Sequence, residues 1–402
     1  MSRTALATNM LLDLLLLALA LYGNAALWVT LFNRAHAVIV SPTWTRLTNV
    51  VTYSGFFLLP VALVCWYAAA TTPPLEQLRA GMPNVPLIYL VFCWCAAVAT
   101  LPKYWYPRAA DRPDVLTANH TIRPDLPADL SGEGPAGRAV EMLGRLPGIQ
   151  IANLVVQQKT LRLAGLPPQL AGLSIVHLSD FHFTGRIAKR YFEEVVRLAN
   201  QHDADLVAIT GDIVDTETCL PWLDDTLGQL RSRHGVFFVL GNHDLKVETT
   251  RLRGRLTELG LIDLGGRWTA VSVRGSQVVL AGNELPWFAP AADLHDAPPR
   301  GVAGPLRIVL AHSPDQFGWA RRNDADLVLA GHTHGGQVRL PVIGACASAS
   351  RYGSRYAAGV FFQPPTVLHV SRGLSQAMPP FRLLCPPELA VLELQPNEDE
   401  PG

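Results

Sequence analysis

Asp180 and His182 stand one residue apart in Ser179-Asp180-Phe181-His182, directly after the apolar run Leu173–Leu178. Four more polar motifs are placed the same way. Gly211-Asp212-Ile213-Val214-Asp215 follows Leu206–Ile209, and Gly241-Asn242-His243-Asp244 follows Val236–Leu240. His312 follows Ile308–Ala311, and Gly331-His332-Thr333-His334-Gly335-Gly336 follows Leu327–Ala330. Five of the twelve histidines fall at these run ends. Singly, each motif has an ordinary reading, since Gly-Asp after a strand is usually a turn or a helix cap. Together they offer carboxylate, carboxamide and imidazole ligands without sulfur, a mixture suited to Mn, Fe or Zn. Two such ions roughly 3.5–4 Å apart clamp a phosphoryl group and generate hydroxide near neutral pH. Gly211, Gly241 and Gly331 let the backbone turn sharply beside them.

Motifs so far apart in sequence need a scaffold that gathers them. The apolar runs read as buried strands, and open α/β sheets place their sites at the carboxyl ends of strands. Ile187, Tyr191, Phe192, Val195, Val196 and Ala199 recur at helical spacing between the first two. Strand–helix–strand units of about 30 residues imply right-handed parallel crossovers. Further strands are expected at Val278–Ala281 and Thr366–Val370. Several late strands follow one another with no helix between, which predicts mixed sheets. This catalytic domain spans 151–394. Before it, 107–150 is rich in Pro, Gly and Asp and reads as a linker or irregular segment. After it, 395–402, with Glu398-Asp399-Glu400, reads as a disordered tail.

The first 106 residues differ in kind. Residues 1–101 carry six charged side chains: Arg3, Asp13, Arg34, Arg46, Glu76 and Arg79. Three apolar stretches, Leu14–Phe32, Val50–Ala70 and the shorter Val85–Leu101, predict a transmembrane region of about three helices. Tyr104, Trp105 and Tyr106 follow as an interfacial aromatic belt. A multi-pass membrane protein is expected. With three crossings, Arg34, Arg46, Lys103, Arg108 and Arg112 share the side of the catalytic domain, against Arg3 and Arg79 opposite. The positive-inside bias then puts that domain in the cytoplasm. The whole chain balances 33 basic against 33 acidic residues, so no global field points to nucleic acid. The six cysteines lack the spacing of a metal site or a disulfide framework.

In order and spacing, D-x-H, G-D-x-x-D, G-N-H-D, a lone His and G-H-T-H resemble the calcineurin-like metallophosphoesterase superfamily. The version Gly331-His332-Thr333-His334-Gly335-Gly336-Gln337 looks like its membrane-associated bacterial branch, similar to UDP-2,3-diacylglucosamine pyrophosphatases. The resemblance covers about 150–394 with no departure from the motif set. It implies an α/β fold of two mixed β-sheets packed as a sandwich and flanked by helices. It implies one divalent metal ion on Asp180, His182 and His334, and a second on Asn242, His312 and His332, with Asp212 bridging. It also implies that His243 faces the substrate and protonates the leaving oxygen or stabilises the phosphoryl charge, with Asp215 orienting its ring.

The expected activity is a membrane-anchored, two-metal hydrolase that cleaves a phosphodiester or pyrophosphate bond. Its substrate would be lipid-linked or a nucleotide, since an anchor concentrates the enzyme near membrane substrates. A phosphoprotein phosphatase is a second reading. A catalytically silent metal-binding sensor or scaffold is a third, and it would show a missing ligand, which this chain does not. His177, inside an apolar run, reads as a satisfied core histidine. Asp244 reads as a brace behind the site. Arg372 or Arg382 is suited to grip phosphate.

Overall fold

The computed structural model describes residues 3–38, 41–69, 80, 84–105, 115–127, 130–132, 134–299, 304–341, 343–377 and 380–397. The chain divides into two compact units, Met1–Arg108 and Ala109–Gly402.

In the first unit, helices α1 (Arg3–His36), α2 (Pro42–Ala69) and α3 (Val85–Trp105) pack together. Leu11–His36 and Thr43–Ala69 are long and apolar enough to cross a membrane, while Val85–Leu101 is apolar but shorter. Small residues let the helices approach. A Cβ on Gly23 would lie 1.7 Å from the Cys93 carbonyl oxygen, so the α1 and α3 backbones touch there. Polar groups face inward. Trp28 Nε1 donates to the Tyr89 hydroxyl at 2.8 Å, that hydroxyl donates to Asn24 Oδ1, and Trp94 Nε1 donates to the Leu16 carbonyl at 2.9 Å. Leu14, Phe57, Leu58, Val61 and Phe92 are exposed. Apolar outside with hydrogen bonds closed inside is the arrangement an apolar solvent demands. Arg79, Tyr106, Arg108 and Arg112, on which the aromatic belt and the charge count partly rest, lie outside the described residues.

The second unit is a sandwich. Its seven-stranded sheet has the order β1-β2-β15-β3-β4-β5-β6, from β1 (Leu116–Ile122), β2 (Val155–Leu163), β15 (Glu388–Pro396), β3 (Leu173–Leu178), β4 (Leu206–Thr210), β5 (Val236–Val239) and β6 (Ile262–Asp263). The six-stranded sheet has the order β13-β14-β10-β9-β8-β7, from β13 (Gly359–Gln363), β14 (Thr366–Val370), β10 (Leu327–Ala330), β9 (Leu306–Ala311), β8 (Ser276–Asn283) and β7 (Trp268–Val273). A small ladder joins β11 (Arg339–Leu340) and β12 (Gly344–Ala345). Both large sheets are mixed. β3, β4, β5 and β6 run parallel, as do β8, β9, β10 and β14, while β1, β7 and β13 pair antiparallel at edges and β15 runs antiparallel to β3 but parallel to β2.

Alternation along each strand builds the layers. Leu173, Ile175, Leu206, Ala208, Phe237 and Val239 of one sheet meet Val278, Leu280, Ile308, Leu310, Leu327 and Leu329 of the other. Opposite faces bury Val176, Leu178, Val207, Ile209 and Phe238 under the helix Lys189–Asn200, and Val309, Val328 and Leu368 under Phe317 and Ala320. The predicted strands and that helix are all present, with ends shifted by two residues at most.

Three sequence expectations change. The stretch 107–150 contains β1 and the helix Gly134–Gly144 among its described residues, so it is not irregular throughout. All seven β1 residues are exposed and only Gly137 and Val140 of the helix are buried, which is why no hydrophobic period announced them. Gln395 and Pro396, assigned to the tail, complete β15 against β2, while 398–402 lie outside the described residues. β2 and β15 themselves escaped notice because Gln157, Gln158, Lys159 and Glu393 interrupt their apolar alternation.

Candidate metal centre

All five motifs emerge at one rim, where β3, β4 and β5 of one sheet end beside β9 and β10 of the other. Backbone hydrogen bonds lash the loops together. Asp180 N donates to Gly211 O at 3.0 Å, His182 N to Asp212 O at 2.9 Å, and Gly331 N to His312 O at 2.9 Å. His243 N donates to Asp212 Oδ1 at 2.7 Å, and His332 N to Asp180 Oδ1 at 3.1 Å. Gly331 must be glycine, since a Cβ there would fall 1.8 Å from Ser179 Oγ and 2.5 Å from Asp180 Oδ2. Asp180, His182, Asp212, His332 and His334 all hold left-handed φ, between 46° and 69°. L-residues other than glycine adopt that region at an energetic cost, and such strain gathers where function requires it.

The side chains form two clusters that share Asp212. Asp180, His182, Asp212 and His334 bring one ligand atom each within 4.8 Å of one another, and so do Asp212, His312 and His332. In the first cluster, His182 Nε2 lies 3.1 Å from His334 Nε2 and 3.5 Å from Asp212 Oδ2, and His334 Nε2 lies 3.4 Å from Asp180 Oδ1. In the second, His312 Nε2 lies 3.1 Å from Asn242 Oδ1, 3.1 Å from His332 Nδ1 and 3.3 Å from Asp212 Oδ1.

Hydrogen bonding on the far side of each ring says what these atoms want. His312 Nδ1 donates to the Thr210 carbonyl at 2.7 Å, and His182 Nδ1 donates to Asp215 Oδ1 at 2.8 Å. A neutral imidazole has one N–H to give. Both Nε2 atoms are therefore lone pairs, aimed at carboxylate and carboxamide oxygens and at another ring nitrogen. Only a positive charge reconciles such a convergence of acceptors. Without an ion a proton must serve. Burial opposes it, but the Asp212 carboxylate outweighs burial and pushes His312 up to about 9. Burial likewise opposes ionisation of Asp212, yet the surrounding imidazoles hold it well below the carboxylate range. The donor set fits divalent ions, and its oxygen and nitrogen chemistry is what the sequence indicated.

Asp215 stands behind both His182 and His243. Its Oδ2 accepts from His243 Nδ1 at 2.7 Å and from Lys246 Nζ at 2.6 Å. Although burial opposes it, His182 and His243 hold the Asp215 carboxyl well below its usual range. The His243 ring packs edge-on to His182 at 4.4 Å between centroids and keeps 21% of its side chain exposed, the most of any candidate histidine here. Asp244 does brace the loops, accepting from Ile213 N, Val214 N and Gly241 N at 2.8–2.9 Å.

All nine sequence-selected residues thus come together. The two arginines do not join them. Arg382 is fully buried and donates to the carbonyls of Ser375, Arg372 and His334, while Arg372 pairs with Glu388 at 2.8 Å. Arg382, whose Nη2 also lies 3.3 Å from His334 Nδ1, is spent holding these loops, and Arg372 is anchored through Nε by Glu388. Lys246 and Trp287 were missed. Lys246 lies one helical turn after His243. Trp287 follows β8, a strand end like the others, but an indole does not suggest a metal site. Its ring sits 4.8 Å from His332 and 5.3 Å from His312.

Comparison with known proteins agrees with this geometry. The sequence profile of the calcineurin-like phosphoesterases matches residues 173–336. The chain is similar to phosphodiesterase YaeI of Escherichia coli K12, at 31% identity over 238 residues that cover 58% of this chain and 86% of that protein. It is also similar to the uncharacterized metallophosphoesterase YkuE of Bacillus subtilis, at 28% identity covering 59% and 84%. A transmembrane protein with metallophosphoesterase domain from Bos taurus is 31% identical over 57% of this chain, which spans about half of that protein (54%). The chain belongs to the calcineurin-like phosphoesterase family and is a metal-dependent phosphoester hydrolase.

Proposed function

We propose that this enzyme is a multi-pass membrane protein that cleaves a phosphodiester or pyrophosphate bond in a lipid-linked or nucleotide substrate, using two divalent ions. The carrying observation is the convergence of the His182 and His312 Nε2 atoms on Asp212, with His334 Nε2 against His182 and Asp180. In this reading Asp180, His182 and His334 would hold one ion and Asn242, His312 and His332 the other, with Asp212 common to both ligand sets. Bound there, the ions supply Lewis acidity toward phosphoryl oxygens and a lowered pKa for water. The protein does the rest. Thr210 and Asp215 fix the tautomers of His312 and His182, so that neutral nitrogens face the ions. His243, partly exposed and oriented by Asp215, delivers a proton to the departing oxygen. Lys246 steadies the Asp215 carboxylate that holds both rings.

Apolar helices favour a substrate met at the bilayer, such as a lipid-linked nucleotide diphosphate of the kind the resembling pyrophosphatases imply. With three crossings by α1, α2 and α3, the positive-inside bias puts the catalytic domain on the cytoplasmic side. A reporter fused after residue 402 tests this, because two crossings would place it opposite relative to the same N-terminus.

The activity is tested by a panel on protein reloaded with Mn, Zn, Fe or Mg: lipid-linked nucleotide diphosphates, aryl phosphodiesters and phosphopeptides. Release of a nucleoside monophosphate from the lipid-linked set is expected. Turnover of phosphopeptides alone would replace this reading with a protein phosphatase, and metal binding without any turnover would leave a sensor.

A further inference from the structure

Trp287 stands at the rim with a hydrogen-bonding group that the catalytic reading leaves unused. It rides on the loop leaving β8, and that loop is held at many points. Asn283 Oδ1 accepts from Leu285 N at 3.0 Å, and Gln316 Nε2 donates to Leu285 O at 2.8 Å. Trp287 N donates to Glu284 O at 3.1 Å. Glu284 in turn accepts from Leu240 N at 2.5 Å and pairs with Arg253 at 2.5 Å, which ties the loop to the end of β5, two residues before Asn242. The indole is therefore positioned as firmly as the histidines beside it.

Its place is specific. The ring leans on both His332 and His312 with only 6% of its surface exposed. Its Nε1 atom is buried and has no hydrogen-bond partner among the described residues. An indole N–H can only donate, and a donor buried without an acceptor is unfavourable. His312 meets the Thr210 carbonyl through Nδ1 and Asn242 and Asp212 through Nε2, and His332, with its Nδ1 lone pair turned to His312, carries its ring proton on Nε2, so neither is its acceptor.

We infer that Trp287 is a substrate-contacting residue whose Nε1–H donates to a non-bridging oxygen of the phosphoryl group, on the side of the site walled by His312 and His332. This rests on the reading of the site as a phosphoester hydrolase, and it names a substrate contact that reading lacks. The chemistry favours an indole here. A lysine or arginine against this wall would be repelled by cations held on the same histidines, and of the nearby arginines Arg382 is spent on backbone carbonyls while Arg372 Nε pairs with Glu388. A neutral N–H avoids that repulsion and still makes a strong bond, because its acceptor is anionic. Its rigid ring also excludes water from that side of the phosphorus.

Trp287→Phe keeps the aromatic wall and removes the donor. The full-length protein, in detergent and reloaded with Mn, is to be compared with this variant by metal content, unfolding temperature, calorimetric affinity for inorganic phosphate, and kcat and KM on an aryl phosphodiester. Expected is a phosphate Kd and a KM each raised about tenfold, with metal content unchanged. Unchanged phosphate affinity would overturn the proposal and leave the indole as packing, or its N–H bonded to water. Loss of metal in step with affinity would overturn it too, by making Trp287 a support for the imidazoles. Should Phe lower the unfolding temperature, Trp287→His restores a ring N–H, and equal phosphate affinity in the Phe and His variants sinks the idea. A wild-type enzyme that binds phosphate but hydrolyses no phosphoester would instead count against the functional reading, and the two failures are distinguishable.

Discussion

Two buried clusters of histidine and charge lie within one sandwich, and they behave oppositely. Between the sheets, Lys159 Nζ donates to Glu388 and to His369 Nε2 at 2.9 Å. His369 Nδ1 then donates to His177 Nδ1 at 2.9 Å, and His177 Nε2 donates to Thr210 Oγ1 at 2.9 Å. Every ring nitrogen has one role, and Arg372 satisfies the second Glu388 oxygen. At the rim, similar residues face one another acceptor to acceptor. The inner cluster is complete in itself and serves the fold by stitching β2, β15, β3 and β4 to β14. The rim is complete only with something positive added. A histidine's burial does not distinguish the two roles. The direction of its second nitrogen does.

That contrast can be broken by experiment. The largest effect is expected from Asp212→Asn, which removes the carboxylate common to both rim clusters. Activity should fall about 1,000-fold or more with loss of bound metal, while the metal-free protein should unfold at no lower temperature than wild type. A lower unfolding temperature without metal would show the rim to be self-sufficient after all. Next, His243→Ala should reduce kcat about 100-fold and leave metal content intact by elemental analysis. If metal leaves in proportion, His243 is a ligand and its assignment as proton donor is wrong.

Glu388→Gln attacks the other side of the comparison. It strands Lys159, so denaturant unfolding should reveal a loss of about 3 kcal/mol, with kcat per folded molecule little changed. A pH series sharpens the same point. Burial keeps His369 down at about 4 and His177 well below its ordinary value. Between pH 6.5 and about 4 the unfolded chain thus binds protons that the native chain refuses, so stability is full above 6.5 and is lost as pH falls. The expected slope is about 1.4 kcal/mol per pH unit for each imidazole, and a flat profile across that range would mean the pair is charged. Lys246→Met should have the smallest effect, a KM or kcat change of a few fold, because its partner Asp215 keeps both histidines.

Much of the site could be read from the sequence because strand ends are written in two alphabets at once. An apolar run such as Leu327–Ala330 marks where a strand is buried, and the abrupt change to Gly331-His332-Thr333-His334 marks where it meets the site. Long-range pairing has no such mark. β1 lies wholly exposed, and β15 joins β2 from more than 200 residues away in parallel register, so neither is announced by local period. His177 was recognisable as a core residue, but its partners His369, Lys159 and Glu388 were not, since they meet only when the two sheets pack. Arg382 looked suited to phosphate, yet its guanidinium is spent on the backbone carbonyls of Ser375, His334, Cys385 and Arg372. Trp287 hid because nothing about an indole in a loop suggests a metal rim.

The left-handed backbone at Asp180, His182, Asp212, His332 and His334 reaches beyond the reaction itself. Each such residue is under tension of about 1 kcal/mol or more, in a domain whose whole stability is of the order of 10 kcal/mol. Ions bound at the rim fasten those loops as well as activate water, so folding and loading are expected to be coupled. Chelation should then show in hydrogen exchange as selective opening of these three loops, and a cell short of the right ion would be left with a shorter-lived protein as well as an idle one.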